Sequence, residues 1–189
     1  MPNVSWLEPQ NLADLLAMNL FAARSGMDLG EDNKKIGILS PWFREFDLTL
    51  SPTGWHQQLK TGEFERKATF QDCLHTALDD GWKLSIAVLP YDDSASLSKP
   101  RNNYKAERKI LHGLREKGAS VFLVDNLHAK GIISPLAVVS GSTNYTHGGM
   151  HYQLQNSIYF SNSSSEYAST KRQLETHFCN DPFLGTLIP

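Results

Sequence analysis

His128, Lys130 and the run Gly141-Ser142-Thr143-Asn144 are the residues whose types and spacing suit chemistry. His128 and Lys130 stand two positions apart, so on an extended strand their side chains share one face. A turn at Gly141 lets the backbone approach a ligand closely and brings a hydroxyl and a carboxamide beside the imidazole and the ammonium. That set offers one nucleophile and several donors, and no carboxylate cluster for a hard metal ion. It suits an anion attacked covalently at phosphorus, with the donors holding charge that develops on oxygen.

Those groups need strands to carry them. Ile132-Ile133 and Leu136 to Val139 are apolar runs divided by Ser134-Pro135. They are too close for a helix between them, so they read as neighbouring strands. Upstream, the pattern predicts a helix capped by Asn11 with Leu12, Leu15, Leu16 and Leu20 on one face. A buried strand follows over Ile36 to Leu39. Residues 43–66 have weak periodicity and read as a loop, a short helix or a hairpin. Phe70, Cys73, Leu74, Ala77 and Leu78 predict a second helix closed at Gly81, which suits a left-handed cap. Leu84 to Leu89 is a strand, 91–103 a polar loop, and Ala106, Ile110 and Leu114 the inward stripe of a third helix. Val121 to Val124 and Ile158 to Phe160 are further strands. Ser163 with Glu166 forms a predicted capping box for a last helix bearing Tyr167, Leu174 and Phe178. The alternation of helix and strand is that of an α/β unit.

The segment from His128 to Asn144 resembles the HxK…GSxN signature of the phospholipase D superfamily. Downstream, Asn144-Tyr-Thr146-His-Gly-Gly149-Met150 is similar to that family's asparagine turn and short helix, and Gln153-Leu-Gln155 falls where many members have Asn-x-Glu. The likeness runs loosely over residues 33–178 and sharply over 121–158. It implies a mixed, mostly parallel central sheet flanked by helices, phospholipase D-like, in a single domain over 1–189 with residues 1–32 a helical extension packed on it. It also implies that His128 attacks phosphorus, that Lys130 and Asn144 hold phosphate oxygens, that Ser142 assists, and that Gln155 orients the imidazole. Three departures stand out, the first being an interval to Gly141 one residue shorter than the family's common form. Pro135 occupies the place of the family's aspartate, and Gln155 that of a glutamate that supports the histidine. A neutral amide stabilises imidazolium less than a carboxylate does.

The family's reaction uses two histidines, and larger members carry the motif twice. This chain has the motif once and no internal repeat, which implies a homodimer sharing one site across a twofold axis. The scheme needs no cofactor and no metal. Small single-motif members include bacterial nucleases and restriction-type endonucleases, so the leading expectation is a metal-independent DNA nuclease with a phosphohistidine intermediate. The alternatives are a catalytically weak nucleic-acid-binding subunit of a larger defence or DNA-modification assembly, and a phospholipid phosphodiesterase.

Composition bounds the rest. The 189 residues are 40% hydrophobic, enough for a sizeable core, and two cysteines exclude a disulfide scaffold. No apolar run approaches the roughly 20 residues of a spanning helix, and the first ten residues lack a basic group. The expectation is a cytoplasmic protein with no membrane partner. Net charge is -2, from 18 basic and 20 acidic residues. Yet Lys99 to Lys117 holds seven basic residues against two acidic, net +5. On charge alone that strip reads as a solvated helix face. Once a phosphodiester substrate is considered, Arg101, Lys105 and Lys109 become candidates to bind it. His147, just past the asparagine turn, is a candidate for the site mouth, as are Trp42 and Phe43 after the first predicted strand. Cys73 reads as core.

Overall fold

The computed structural model describes residues 4–6, 9–30, 33–46, 69–90, 104–151 and 156–178. The polar stretch 91–103, the ambiguous stretch beyond residue 46, Arg101 and Gln155 lie outside the described residues. In chain order the elements are β1 (Val4–Trp6), α1 (Pro9–Arg24), β2 (Lys35–Leu39), α2 (Phe70–Asp79), β3 (Lys83–Val88), α3 (Tyr104–Glu116), β4 (Ser120–Leu123), β5 (Lys130–Ile133), β6 (Ala137–Gly141), α4 (His147–His151), β7 (Ser157–Ser161) and α5 (Tyr167–Glu175). A single turn of 3-10 helix, Thr176–Phe178, ends the described chain.

The seven strands form one mixed sheet in the order β1-β7-β6-β5-β2-β3-β4. Five strands point one way, but only β2–β3 and β3–β4 pair in parallel; the other four pairings are antiparallel. The expected parallel character is thus confined to neighbours joined by long connections. β5 and β6 are linked by three residues, too few for a crossover, and must form a hairpin.

Helices cover both faces. On one, Leu15, Leu16 and Leu20 of α1, Leu74 of α2 and Leu111 and Leu114 of α3 pack on Ile38, Ile86, Val121 and Ile132. Each fully buried side chain of this kind contributes about 1.5–3 kcal/mol. On the other face a smaller cluster joins Leu39, Ala87, Phe122, Ile133 and Val138 to Leu174 of α5, with Phe178 packed against it. Cys73 is in the larger core as expected, where burial pushes its thiol up to about 12. Among the described residues no helix is long and apolar enough to cross a membrane.

Three local expectations change. α1 begins at Pro9, two positions before Asn11, because proline presets the helical φ and has no N–H to leave unsatisfied. Ahead of it, β1 pairs with β7 at the sheet edge, so the N-terminal segment contributes a strand as well as a helix. α5 starts later than the predicted box requires: Glu166 stands at its N-cap with no side-chain capping bond, and the hydroxyl of Ser164 accepts the N–H of Tyr167 at 3.2 Å in the turn before the helix. A full box occurs on α2. There the Thr69 hydroxyl accepts from the Asp72 N–H at 3.2 Å, and the Asp72 carboxylate takes the Thr69 N–H at 3.0 Å.

Candidate functional site

The β5–β6 hairpin decides where the chemistry stands. Its register sets Lys130, first residue of β5, directly opposite Gly141, last residue of β6. The His128-x-Lys130 and Gly141-Ser142-Thr143-Asn144 segments are therefore neighbours at one edge of the sheet. It is the edge where β2, β3 and β4 end, and ligands of open α/β sheets sit outside such carboxyl ends.

Within this edge the residues differ in environment. His128 precedes β5 on irregular backbone and is exposed, while Lys130 is 7% exposed; only the lysine is on the strand. The Lys130 ammonium donates to the His128 carbonyl at 2.7 Å, which ties the side chain back over the segment. Burial lowers its pKa from the ordinary lysine value, since a desolvated ammonium is costly. A cation held this dry acts strongly on any anion admitted beside it. The Ser142 hydroxyl is exposed and accepts the Asn156 N–H at 3.0 Å, while the Ser142 N–H donates to the Asn156 carbonyl at 2.8 Å. This pair closes the β6–β7 end.

Asn144 is 8% exposed and is fixed by its neighbours. Tyr145 forms a parallel bridge with Phe43, its N–H donates to the Ser40 hydroxyl at 3.1 Å, and its carbonyl accepts the Arg44 N–H at 2.9 Å. Below it, the Tyr145 ring stacks on Phe70 at 5.8 Å, and Phe70 stacks on Phe46 at 4.8 Å. This aromatic cluster holds the asparagine turn on the loop after β2. From the other side, Thr146 donates to the Asn144 carbonyl at 2.9 Å, and its hydroxyl caps α4 by accepting the Gly149 N–H at 3.1 Å. A Cβ on Gly149 would run into the Asn144 carbonyl, whereas one on Gly148 would meet nothing within 4 Å.

Gly149→Ala is accordingly expected to cost about 1–3 kcal/mol by overpacking and to shift Asn144. Gly148→Ala should leave stability unchanged or slightly raised. Thermal unfolding of the two variants, with amide shifts of residues 142–146, checks this.

Trp42 and Phe43 separate. Phe43 is core, while Trp42 is 41% exposed beside the turn. Glu107 was not singled out by the sequence pattern. It is 1% exposed, and its carboxylate accepts the Phe43 N–H, so the first turn of α3 is joined to the same loop. Its signal is weak in sequence because it is one of two acids in a basic strip. Lys109 is exposed on α3, and Lys105 lies one helical turn before it. His147 is exposed at the start of α4. Pro135 lies in the β5–β6 turn, a strand length from Lys130 or roughly 13 Å, and its carbonyl is 3.4 Å from the Tyr167 hydroxyl. The replacement of the family's aspartate therefore falls outside the site. Among the described residues no three His, Cys, Asp or Glu side chains converge as a metal site would need.

No family model matches the chain, and no curated protein matches it in sequence. Solved structures do share its fold. A phospholipase D family member, Nuc from Salmonella typhimurium, aligns at TM-score 0.55 and 13% identity over 93% of this chain and 91% of that one. NucT from Helicobacter pylori aligns at TM-score 0.50 and 12% identity over 95% and 97%. Phosphatidylserine synthase from Haemophilus influenzae aligns at TM-score 0.53 and 13% identity over 92% of this chain but 36% of its own. The fold is phospholipase D-like.

Proposed function

We propose that this chain is a metal-independent phosphodiesterase, a DNA nuclease, acting through a phosphohistidine at His128 in a site shared by two copies. The observation that carries the reading is the Lys130–Gly141 register, which brings the segments bearing an exposed His128, a buried Lys130 and a buried Asn144 to one sheet edge. The fold shared with Nuc and NucT over nearly their whole lengths supports it. The basic residues of α3, joined through Glu107 to the loop beside Asn144, suit a phosphate backbone.

In this reading a ring nitrogen of His128 bonds to phosphorus as the bond from phosphorus to the leaving oxygen breaks. His128 of the partner subunit gives that oxygen a proton. It then takes a proton from water, whose oxygen displaces the imidazole from phosphorus. Lys130 and Asn144 hold the nonbridging oxygens throughout. Gln155 orients the imidazole, and Ser142 and His147 border the substrate.

The test uses the purified chain with plasmid DNA, single-stranded oligonucleotide, bis(p-nitrophenyl) phosphate and phosphatidylcholine vesicles, each with and without excess EDTA. Cleavage of DNA and of the small diester that persists in EDTA, from a species sedimenting as a dimer, is expected. Activity lost in EDTA and restored by Mg²⁺ overturns the mechanism. Hydrolysis of the vesicles alone overturns the substrate, and a fully active monomer overturns the shared site.

A further inference from the structure

The loop after β2 carries a cation that no sequence pattern marks. Arg44 lies in the stretch of weak periodicity, shortly past the end of β2 at Leu39. Its backbone is held on the asparagine turn. The Arg44 N–H donates to the Tyr145 carbonyl at 2.9 Å, and its neighbour Phe43 bridges Tyr145 in parallel. Phe43 is pinned again from α3, where the Glu107 carboxylate accepts its N–H. Phe43 and Tyr145 both belong to the core, at 1% and 3% exposure. Side chains alternate along extended backbone, so Arg44 and Asn144 stand on the side of this bridge away from that core.

The Arg44 side chain is fixed at its root and unmet at its head. It is half-buried, and its Nε is shut off from solvent without a hydrogen-bond partner. Among the described residues neither a hydrogen bond nor an ion pair reaches the guanidinium. Glu45, the adjacent acid, is exposed. A guanidinium cannot shed its charge, and a shielded donor left without an acceptor is costly. A ligand that supplies the acceptor removes that cost.

The planar fork of an arginine matches two oxygens of a phosphate at once, whereas an ammonium acts as a point charge. In the phosphodiesterase reading the nonbridging oxygens of the reacting phosphate already have Lys130 and Asn144. Arg44 is held beyond Asn144, across the bridge from the turn. We propose, resting on that reading for the position of the reacting phosphate, that Arg44 grips a phosphate flanking it, so that the site takes a polynucleotide strand rather than an isolated diester. A phospholipid such as phosphatidylcholine has a single phosphate and leaves Arg44 unmet. In a strand every reacting diester has a neighbour of the same charge and shape, and the guanidinium gains the acceptor that the fold withholds.

The experiment reads binding and turnover separately. Binding uses the full chain carrying His128→Ala, which cannot cleave in the proposed mechanism, with a fluorescein-labelled single-stranded DNA oligonucleotide followed by anisotropy over a range of salt. Adding Arg44→Gln should raise Kd about tenfold and make the log–log salt slope shallower by about 0.7, the value of one phosphate contact on a single strand. Arg44→Lys keeps the charge without the fork and should restore the slope but only part of the affinity. Turnover uses Arg44→Gln with His128 intact. Its kcat/KM on the oligonucleotide should fall about tenfold further than on bis(p-nitrophenyl) phosphate, which has no flanking phosphate. Unchanged Kd and slope would overturn the proposal, as would failure of the His128→Ala chain to bind the oligonucleotide. Equal losses on the two substrates would move Arg44 to the reacting phosphate and overturn the flanking assignment. An unaltered chain that binds the strand but cleaves neither substrate would remove the phosphodiesterase reading alone, and the salt slope of Arg44→Gln would still support or overturn the phosphate contact.

Discussion

His128→Ala is expected to reduce phosphodiester cleavage by about 10³-fold or more, because in the proposed mechanism it removes the nucleophile itself. Stability should hardly change. The side chain is exposed and its segment is held by the backbone carbonyl, which alanine keeps, so the shift should stay within about 0.5 kcal/mol. The same variant tests whether sites are shared. Unfolding and refolding a 1:1 mixture of His128→Ala and unaltered chains distributes them at random between dimers. If both histidines of a pair are required, only dimers of two unaltered chains turn over, about one quarter of the total. If each chain works alone, about half the activity remains. An active His128→Ala protein would remove the proposed mechanism altogether.

Lys130→Met is expected to separate function from stability. Activity should fall by about 10²–10³-fold, since the charge that holds the nonbridging oxygens in the proposed mechanism is gone. The fold should be as stable as before or more so. The ammonium is buried, makes its hydrogen bond to a single carbonyl, and is replaced by an apolar chain of similar length. The pH dependence has a definite sign. The folded-state pKa lies below the ordinary lysine value of 10.5, so over the interval between them the unfolded chain binds more protons. The cost of burying the charge is fully present below the folded-state pKa and is relieved as pH rises toward 10.5. Unaltered protein should therefore gain stability over that interval, and Lys130→Met should lose this part of the gain. Denaturant unfolding of both proteins at a series of alkaline pH values reads it directly. A variant equally active, or strongly destabilised at neutral pH, would show that Lys130 is a structural residue.

Much of the scaffold was legible because its signals are local. The stripe from Phe70 to Ala77, the glycine after Asp80 and the short apolar runs at 84, 121 and 132 each specify an element through neighbours within a few positions. The proximity of 132 to 136 forces a hairpin, and with it the adjacency of His128-x-Lys130 and Gly141 to Asn144. Two local readings were displaced by local geometry: α5 started at Tyr167 with Glu166 at its N-cap in place of Ser163, and Pro9 opened α1 ahead of Asn11. β1 escaped notice because three residues show no period, and its pairing depends on an edge that β7 supplies.

The sequence by itself determined the hairpin that brings the His128-x-Lys130 segment beside Gly141 to Asn144. The tertiary structure decided the environments of those groups. Lys130 is dry and His128 wet because β5 begins between them, a matter of where the sheet starts rather than of residue type. Asn144 is fixed because Tyr145 docks on Phe43 and Ser40, a contact spanning about a hundred positions. Glu107, read in sequence as a minor member of a basic strip, is buried against the same loop. Periodicity carries information over a turn or a strand. Burial, register and electrostatic surroundings arise from contacts between segments far apart, where no short pattern specifies them.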